Sequence, residues 1–455
     1  MRVVIVGGGA AGMAAAIATS NSGAEVLLIE SESTIGGELF SGLPILGAYT
    51  SRGEQCIHGV LDEIIAESKR IDPDGYIGPV CDWRTVYGLC ADPEILRLAV
   101  LSLLEAGEVR LLLNTTVYTV DSRDGVVQSL KVVDRKGRTE TIACDAVIDA
   151  SGGGYITMMA GGDVLFGSSD GTFQPVSVVF RMAGVDFEPL LAFVRDNPQE
   201  VRLSENPIMG KTREEAAQTL YDAGYPYIAI SAEGSILGRA IKNNEVHPCS
   251  AIFMTPTSIA RSELGINATR VASIDSSDDY AVSAVLPRLG GQVVGLVDFL
   301  KKRIPGFDHA RVSSVAHRVG VRESGRIVGE YTLTQNDVLN AIPQEDHVAY
   351  GAHHVDIHGS GTAQVRIPVK DGNSYQIPYR SLLPKGLKNV IAAGRCLSSD
   401  RGANGSARVM GSCISTGQAA GVAARLLIEG KKTDFRDVDP AAVREAGINA
   451  VWRRP

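Results

Sequence analysis

Three histidines fall within six positions of the segment AYGAHHVDIHGSG, where His353, His354 and His358 surround Asp356. An imidazole titrates near neutral pH, so these side chains could give or take a proton in catalysis. A metal site is a second interpretation, but the spacing matches no standard zinc pattern and the segment has no cysteine, so we predict no metal. A purely structural role is the third interpretation, and the sequence leaves it open.

Two arginines, Arg322 and Arg326, stand four residues apart in the segment VRESGRIVG. A guanidinium can hold a carboxylate through two parallel hydrogen bonds, so we predict that Arg322 binds the substrate. The alternatives are an internal ion pair with Glu323 or Glu330, and a contact with a cofactor phosphate.

The segment GRCLSSDRGANGSARVMGSC, residues 394–413, combines four glycines, three arginines and two cysteines. An apolar strand, NVIAA, precedes it, and a helix of small residues, STGQAAGVAARLL, follows it. Taken alone, these residues could form a cysteine active site, an anion-binding loop or a loop that wraps a cofactor.

The elements that must position these residues begin at the amino terminus, in RVVIVGGGAAGMAAAIATSNSGAEVLLIE. The pattern predicts a strand over 3–6, a helix over 14–20 that ends near Gly23, and a second parallel strand over 26–29. A G-x-G-x-x-G motif connects the first strand to the helix, and Glu30 follows the second strand. This arrangement predicts a site for a dinucleotide.

Each residue of this motif has a physical reason. Gly7 allows the tight turn, Gly9 allows close approach of a pyrophosphate, and Gly12 allows the helix to pack against the strand. The N–H groups at the start of the helix favour the phosphates, and Glu30 can accept hydrogen bonds from a ribose diol. The predicted cofactor-binding residues in this part of the chain are Gly7, Gly9, Ala11, Gly12, Glu30 and Ser31.

Three further segments resemble the FAD-binding proteins of the glutathione-reductase type. These are the second glycine turn at Gly36 and Gly37, the strand ACDAVIDASGGG, and the sequence AAGR before the last helix. The resemblance implies FAD rather than NAD, and it decides for the cofactor loop in 394–413. It adds these predicted cofactor-binding residues: Gly36, Gly37, Val117, Ala150, Ser151, Gly152, Gly394, Arg395, Ser406, Arg408, Val409 and Met410.

Nearly the whole chain resembles the FAD-dependent oxidoreductase family, which is related to succinate dehydrogenase and fumarate reductase flavoproteins. The resemblance is carried by VRESGRIVGEYTLTQNDV, DIHGSG, YQIPYRSLLPKGLKNVIAAGRCLS and GSARVMGSCISTGQAAGVAA. It implies an α/β fold with a discontinuous Rossmann-like FAD-binding domain, 1–160 and 385–430, an inserted α+β substrate or cap domain, 161–384, and a peripheral tail, 431–455. Two departures are Gly153, where the family commonly has Asp, and Gly325, where it often has Arg.

The resemblance also ranks the residues near the flavin. It implies catalytic roles for His358 first, then for His354, Arg401 and Tyr49, with His353 as a further candidate. It implies substrate contacts for four residues: Arg52, Arg322, Tyr379 and Arg380. Cys396 and Cys413 are then expected to be packing residues, and Gly417 and Gly421 to allow close helix packing.

The function implied is hydride transfer between FAD and a small organic substrate, such as a carboxylate or an alcohol. Two alternatives stay open: a non-redox use of FAD by an isomerase or hydratase, and a flavoprotein subunit that passes electrons to a partner protein. A disulfide reductase is disfavoured because GGELFSGLPILG contains no cysteine pair. The electron acceptor is unassigned.

Composition limits the classes further. The 455 residues carry a net charge of −8, which disfavours a nucleic-acid binder. No apolar run reaches the length of a spanning helix, and no secretory signal precedes the first strand. The seven scattered cysteines are typical of reduced thiols, so we expect a cytoplasmic protein, and assembly into a homo-oligomer stays open.

One further helix is marked by its ends, in ADPEILRLAVLSLLEAG. Asp92 is expected to cap it, Pro93 to take the first helical position, and Gly107 to end it.

Overall fold

The structure is a computed structural model, and it describes residues 1–20 and 23–448. The α-helices of the described chain are α1 (Ala10–Thr19), α2 (Val60–Ile71), α3 (Pro93–Ala106), α4 (Tyr155–Met159), α5 (Phe187–Asp196), α6 (Arg213–Ala223), α7 (Ser235–Lys242), α8 (Asp279–Arg303), α9 (Gln335–Leu339), α10 (Arg401–Ala407), α11 (Met410–Glu429) and α12 (Pro440–Ile448).

The strands of the described chain are β1 (Arg2–Val6), β2 (Glu25–Ile29), β3 (Ile45–Leu46), β4 (Tyr76–Cys81), β5 (Tyr87–Ala91), β6 (Arg110–Leu112), β7 (Thr115–Arg123), β8 (Val126–Asp134), β9 (Thr139–Ala143), β10 (Ala146–Asp149), β11 (Val164–Phe166), β12 (Phe180–Ala183), β13 (Ile228–Ser231), β14 (Ala251–Ser258), β15 (Glu263–Asn267), β16 (Arg311–Val315), β17 (Gly325–Ile327), β18 (His347–Gly351), β19 (Val355–His358), β20 (Gln364–Ile367), β21 (Tyr375–Pro378) and β22 (Val390–Ala392).

A parallel sheet with the strand order β22-β10-β1-β2-β6 forms the centre of the cofactor-binding part. Val4 in β1 pairs with Leu27 in β2 on one side and with Val147 in β10 on the other. All three side chains are buried, as expected for a parallel sheet with both faces covered. The antiparallel meander β7-β8-β9 forms a second, separate sheet in this part of the chain. The predicted α/β class with a Rossmann-like parallel sheet is confirmed.

The first helix begins earlier than the sequence pattern predicts. α1 starts at Ala10 rather than at residue 14, because Gly9 takes the N-cap position and its carbonyl accepts a hydrogen bond from Met13 N at 3.0 Å. The glycine motif therefore lies directly on the helix amino terminus. The helix ends at Thr19 with Ser20 as its C-cap, one residue before the predicted last position, and residues 21 and 22 lie outside the described chain.

Two glycines let α11 lie directly on α1. A Cβ on Gly417 would stand 2.1 Å from Ala11 O, and one on Gly421 would stand 2.4 Å from Ala15 O. Neither distance is compatible with a side chain, so the predicted close packing at these glycines is confirmed. The helix from the end of the chain thereby covers the helix from its beginning.

The ends of α3 agree with the sequence. The Asp92 carboxylate accepts a hydrogen bond from Glu94 N at 3.0 Å, Pro93 is the first helical residue, and Gly107 is the C-cap. This cap satisfies one of the amide groups that a helix leaves free at its start.

The inserted segment has its own antiparallel sheet, with the order β13-β14-β15-β12-β16. Its hydrophobic core runs from Phe180 to Ala310. Residues later in the predicted insert, such as Val338 and Ile377, instead belong to the core around α1 and α11. The domain limits at 161 and 384 stay a prediction, and the hydrophobic packing divides the insert between the two cores.

The segment after residue 430 is not peripheral as far as the structure describes it. Phe435 is fully buried, and Val438 and Val443 belong to the same core as α1. The Tyr379 hydroxyl donates a hydrogen bond to Phe435 O at 2.9 Å. The expectation of a peripheral tail is therefore wrong for residues 431–448, while 449–455 lie outside the described chain.

One described helix, α8, has the length and the mean hydropathy, 1.3, of a membrane-spanning segment. Arg288 interrupts its apolar residues, and Pro287 lies within it. The length and composition of one helix are weak evidence for a membrane span, because the core helix of a soluble protein can have the same length and hydropathy.

Candidate functional site

The loop after β1 has no room for side chains at two of its glycines. Gly7 has φ of 106°, and a Cβ there would stand 2.3 Å from Ala150 O. A Cβ on Gly12 would stand 1.8 Å from Gly7 O. Gly9 differs, because a Cβ there would meet no atom within 4 Å, which leaves open space where the pyrophosphate is expected.

Glu30, at the end of β2, joins this loop to the neighbouring strand. Its buried carboxylate accepts hydrogen bonds from Gly8 N at 2.6 Å, from Glu32 N at 2.9 Å and from Ser31 Oγ at 3.1 Å. The acid that the sequence predicts for the ribose thus lies against the glycine motif.

The second glycine turn contacts the first. Gly36 has φ of 120°, and its N–H donates to Gly8 O at 2.8 Å. A Cβ on Gly37 would lie 3.3 Å from Gly9 Cα and 3.6 Å from Arg318 Nη1. The predicted second turn therefore lies beside the open space at Gly9, with a guanidinium close by.

Two later loops return to the same place. Asp149 is fully buried at the end of β10 and accepts hydrogen bonds from Ser151 Oγ at 2.6 Å and from Thr157 N at 2.8 Å. Gly394, with φ of 83°, donates to Thr416 Oγ1 at 3.0 Å, and a Cβ there would lie 2.8 Å from Ala11 Cβ. Hence the turns at 150–152 and at 394 both adjoin the start of α1.

The remaining predicted cofactor residues lie in several different elements. Val117 is buried in the core of the meander. Arg395 donates to Gly152 O at 2.8 Å and also to Val321 O, so it connects the turn at 150–152 with the inserted segment. Val409 Cγ2 would lie 2.7 Å from a Cβ on Gly47, and Met410 begins α11.

These loops fit FAD. They supply an open backbone cradle at Gly9, an acid at the end of β2, two glycine turns in contact and a helix that begins at the cradle. These are the features that the pyrophosphate and ribose of a dinucleotide require. We refer to the segments 7–12, 36–37, 150–152 and 394–395 as the cofactor loops.

A second group of polar residues gathers around β19, beside the junction of α10 and α11. A Cβ on Gly405 of α10 would stand 2.9 Å from Asp356 O. The Arg408 side chain donates to the same carbonyl at 3.1 Å, and its Nη2 lies 3.8 Å from the Asp356 carboxylate. The histidine–arginine cluster, as we name this group, consists of Arg270, Arg322, His353, His354, Asp356, His358 and Arg408.

Both ring nitrogens of His358 have partners. Its Nδ1 lies 2.7 Å from Arg270 Nη2, and its Nε2 lies 2.8 Å from Asp356 Oδ2. A guanidinium only donates, so Nδ1 must accept, and Nε2 must carry the proton that is donated to Asp356. Burial is the main cause that lowers the pKa of His358 to about 4, so the ring is neutral at pH 7.

The other two histidines differ, because one of them has a free nitrogen. His353 Nδ1 donates to His354 O at 2.8 Å, and the ring centres of the two side chains are 3.9 Å apart. His354 Nδ1 is buried and has no hydrogen-bond partner among the described residues. Burial lowers the pKa of His353 to about 4 and holds the pKa of His354 well below its usual value.

Arg270 and Arg322 form no ion pair within the described residues, whereas Arg408 lies 3.8 Å from the Asp356 carboxylate. Arg270 donates to His358 and to Gly361 O, and Arg322 donates to Pro175 O and to Ser177 Oγ, both at 2.7 Å. Burial first, and then the charges of Arg408 and Arg270, lower the pKa of Arg322 to about 9. Arg270, Arg322 and His358 line one small cavity with residues of β14. The site thus has an excess of positive charge.

The sequence matches the model of one protein family, described as FAD dependent oxidoreductase, over residues 2–446. The chain belongs to this family. It is an FAD-dependent oxidoreductase, and FAD is its cofactor. The comparison with curated proteins finds no match, so the relation to succinate dehydrogenase and fumarate reductase rests on the sequence motifs alone.

Solved structures of flavoenzymes resemble the chain at low identity. A geranylgeranyl bacteriochlorophyll reductase-like protein from Thermoplasma acidophilum is 12% identical with a TM-score of 0.47, over 98% of this chain and 81% of that one. The p-nitrophenol 4-monooxygenase PnpA from Pseudomonas putida is 12% identical with a TM-score of 0.46, over 100% and 90%. The myxobacterial halogenase CndH is 11% identical with a TM-score of 0.45, over 98% and 78%.

In this FAD-dependent oxidoreductase, several residues predicted for the substrate site lie away from the histidine–arginine cluster. Tyr379 is buried in the core, where its hydroxyl binds Phe435 O, and burial raises its pKa. Arg380 is exposed and pairs with Asp346 at 3.0 Å. Arg52 is exposed and donates to Asp371 O at 2.9 Å. The structure therefore brings none of these three into the cluster.

Tyr49 and Arg401 are intermediate cases. The Tyr49 hydroxyl donates to Gln55 Oε1 at 3.1 Å, and burial raises its pKa. Arg401 pairs with the buried Glu323 at 3.2 Å, and Arg326 pairs with the same carboxylate at 3.1 Å. Arg326 therefore forms the internal ion pair with Glu323 that the sequence analysis considered, whereas Arg322 does not take part in it.

The two cysteines of the last cofactor loop are packed as expected. Cys396 Sγ contacts Asp149 O, and Cys413 Sγ contacts Arg408 O. Burial raises the pKa of both thiols, to about 11 for Cys413, so neither is a thiolate at neutral pH.

The sequence reasoning missed Arg270, Gln174 and Arg318 as site residues. Gln174 is buried, its Oε1 accepts a hydrogen bond from His358 N at 3.1 Å, and its Nε2 has no described partner. Asp356 could have been assigned from sequence, because residues two apart on a strand share a face and it stands two before His358. Nothing local marks the other three, since they come from distant parts of the chain.

Proposed function

We propose that this enzyme transfers hydride between FAD and a small organic substrate that carries an anionic group, such as a carboxylate. The observation behind the proposal is the cluster in which Arg270 and Arg322 lie next to His358 and form no ion pair with any acid of the described residues. Buried cations that outnumber the nearby acids favour an anionic ligand, because the ligand restores the electrostatic energy that desolvation removes.

Different residues of the cluster would bind the substrate and transfer the proton in such a reaction. Bound FAD supplies the group that accepts or releases hydride. Arg270 and Arg322 would hold the anionic group and fix the orientation of the substrate. The unpartnered nitrogen of His354 would take the proton from a substrate hydroxyl as its carbon loses hydride, or return it in the reverse direction. Burial of the cluster excludes water from this exchange.

The test is an anaerobic screen of small organic acids for bleaching of the flavin absorbance band. For an acid that bleaches the band, Arg322→Met should raise the dissociation constant by about 10- to 100-fold, the range for hydrogen bonds to charged groups. Arg138→Met, an exposed arginine at the turn between β8 and β9, is the matched control and should leave binding unchanged. Equal binding by both variants would contradict the proposal.

The same screen separates two other uses of FAD. Turnover of an acid without bleaching would indicate a non-redox isomerase or hydratase. Bleaching that molecular oxygen does not reverse would indicate a partner protein as electron acceptor.

A further inference from the structure

The helix α8 buries only one of its two faces. On the inner face, Phe299 lies in the core of the inserted segment. Gln292 on the same side holds the backbone of Arg270 through hydrogen bonds at 2.7 and 2.9 Å. On the outer face, Leu286 is 50% exposed and Val294 is 70% exposed. The inner face thus fixes the helix to the fold, and the outer face is left open to a partner.

Gly290 lies between the two exposed apolar residues of the outer face. Glycine weakens the interior of a helix, and a Cβ on Gly290 would meet no atom within 4 Å outside the helix backbone. Packing within the chain therefore gives no reason for a glycine here. Since successive helical residues are about 100° apart, Leu286, Gly290 and Val294 lie within about 40° of one line along the helix. An apolar line with a glycine at its centre allows a second helix to approach closely.

The two ends of the same face carry opposite charges. Asp279 is exposed in the first turn of α8, and Lys301 lies in its last turn. Lys302 pairs with Asp298 of its own helix, whereas neither Asp279 nor Lys301 forms an ion pair within the described residues. Asp279 and Lys301 are 22 positions apart, about 33 Å along the helix, so they cannot pair with each other. Each charge is therefore available to a partner molecule.

These residues are placed symmetrically about Gly290. Asp279 and Lys301 each lie 11 positions from it. Leu286 and Val294 each lie four positions from it. A two-fold axis at Gly290 would thus bring Asp279 of one copy to Lys301 of the other, and would do so twice. It would also place the two apolar residues opposite each other and align the two helix dipoles favourably.

We propose that α8 forms the interface of a homodimer. The outer face of α8 in one copy packs antiparallel against the same face in the second copy, with Gly290 at the two-fold axis. The charges at the two ends fix the antiparallel register, and the exposed apolar residues leave water when the helices meet.

Sedimentation velocity of the FAD-loaded enzyme over a series of concentrations tests the interface. The unaltered enzyme should convert from one chain to two as the concentration rises. A residue on a two-fold axis faces its own copy, so Gly290→Glu places two carboxylates together. This change should raise the dissociation constant of the dimer by about 100-fold or more.

Reversal of the end charges tests the register. Asp279→Lys and Lys301→Asp should each raise the dissociation constant by about tenfold at low salt, because the axis repeats each contact. The double variant should restore association, since the exchanged charges again meet their opposites. Glu214→Lys makes the same reversal in the first turn of α6 and is the matched control, which should leave association unchanged.

Four results would overturn the inference. These are a single chain at every concentration, a dimer that Gly290→Glu leaves intact, a double charge reversal that fails to restore association, and a monomer that binds phosphatidylglycerol vesicles through this face. Loss of vesicle binding in Gly290→Glu would identify the last case, in which the face binds lipid. The thermal midpoint identifies a variant that fails to fold, and the reversals at the ends of α8 then carry the test.

Discussion

The cofactor loops and the histidine–arginine cluster are built in different ways. In the cofactor loops, the backbone itself forms the site, and at Gly7, Gly12 and Gly36 a neighbouring atom lies about 2 Å from where a Cβ would stand. In the cluster, long charged side chains from distant segments form the site, and the backbone mainly carries them. A backbone site tolerates almost no change of residue, whereas a side-chain site can change its ligand through single substitutions.

Gly12→Ala should have the largest effect. The new methyl group would stand 1.8 Å from Gly7 O, a backbone atom that cannot move without disrupting the loop. We expect a loss of about 3 kcal/mol in the free energy of unfolding and purification without FAD. Flavin absorbance and thermal unfolding measure the two results.

Gly9→Ala is the matched control within the same motif. Its φ of −74° suits alanine, and the methyl group meets no protein atom. Stability without cofactor should change by less than about 1 kcal/mol, while FAD affinity falls because the methyl group occupies the space of the phosphates. A Gly9→Ala protein that binds FAD normally would show that the phosphates lie elsewhere.

Substitutions of two histidines should separate their roles in the cluster. Glutamine can replace His358 with one acceptor and one donor, so His358→Gln should keep kcat/KM within about tenfold. His354→Gln removes the free nitrogen and should lower kcat by about 100-fold or more. A larger loss of activity in His358→Gln than in His354→Gln would indicate that His358 is the acid or base, as the sequence predicts.

Acid should destabilise the folded protein through the buried histidines. The pKa of His353 and that of His358 are about 4 in the folded chain, against about 6.5 for an unfolded histidine. Between these values the unfolded chain binds more protons, so stability is lost as pH falls from about 6.5 to 4, by up to about 3 kcal/mol for each histidine.

Denaturant titrations over this range measure that dependence. His358→Gln should reduce the slope of unfolding free energy against pH, because one titrating group is removed. An unchanged slope would mean that folding does not lower the pKa of this ring.

Tyr379→Phe should have the smallest effect. The change removes one hydrogen bond to Phe435 O and should lower the free energy of unfolding by about 1 kcal/mol. Steady-state kcat/KM should stay unchanged, since the hydroxyl points into the core. A selective loss of activity would return Tyr379 to the substrate site.

The comparison also explains what the sequence could predict. Gly7, Gly12, Gly36 and Gly394 follow from local geometry, and the structure places all four in the cofactor loops. Arg270 and Arg322 meet His358 only through the tertiary fold, so no short motif relates them. For Arg380 the sequence position was misleading. It precedes the last cofactor motif, which suggested a place in the pocket, but its exposed side chain pairs with Asp346.

The parallel sheet is completed by its last strand. β22 pairs with β10 although 240 residues separate the two strands in the chain. The helix α11, which covers α1, follows β22 in the sequence. During synthesis, the first glycine motif therefore emerges long before the segments that close around it. A chain interrupted before residue 390 would leave α1 without the cover of α11 and would lack the cofactor loop at 394–395.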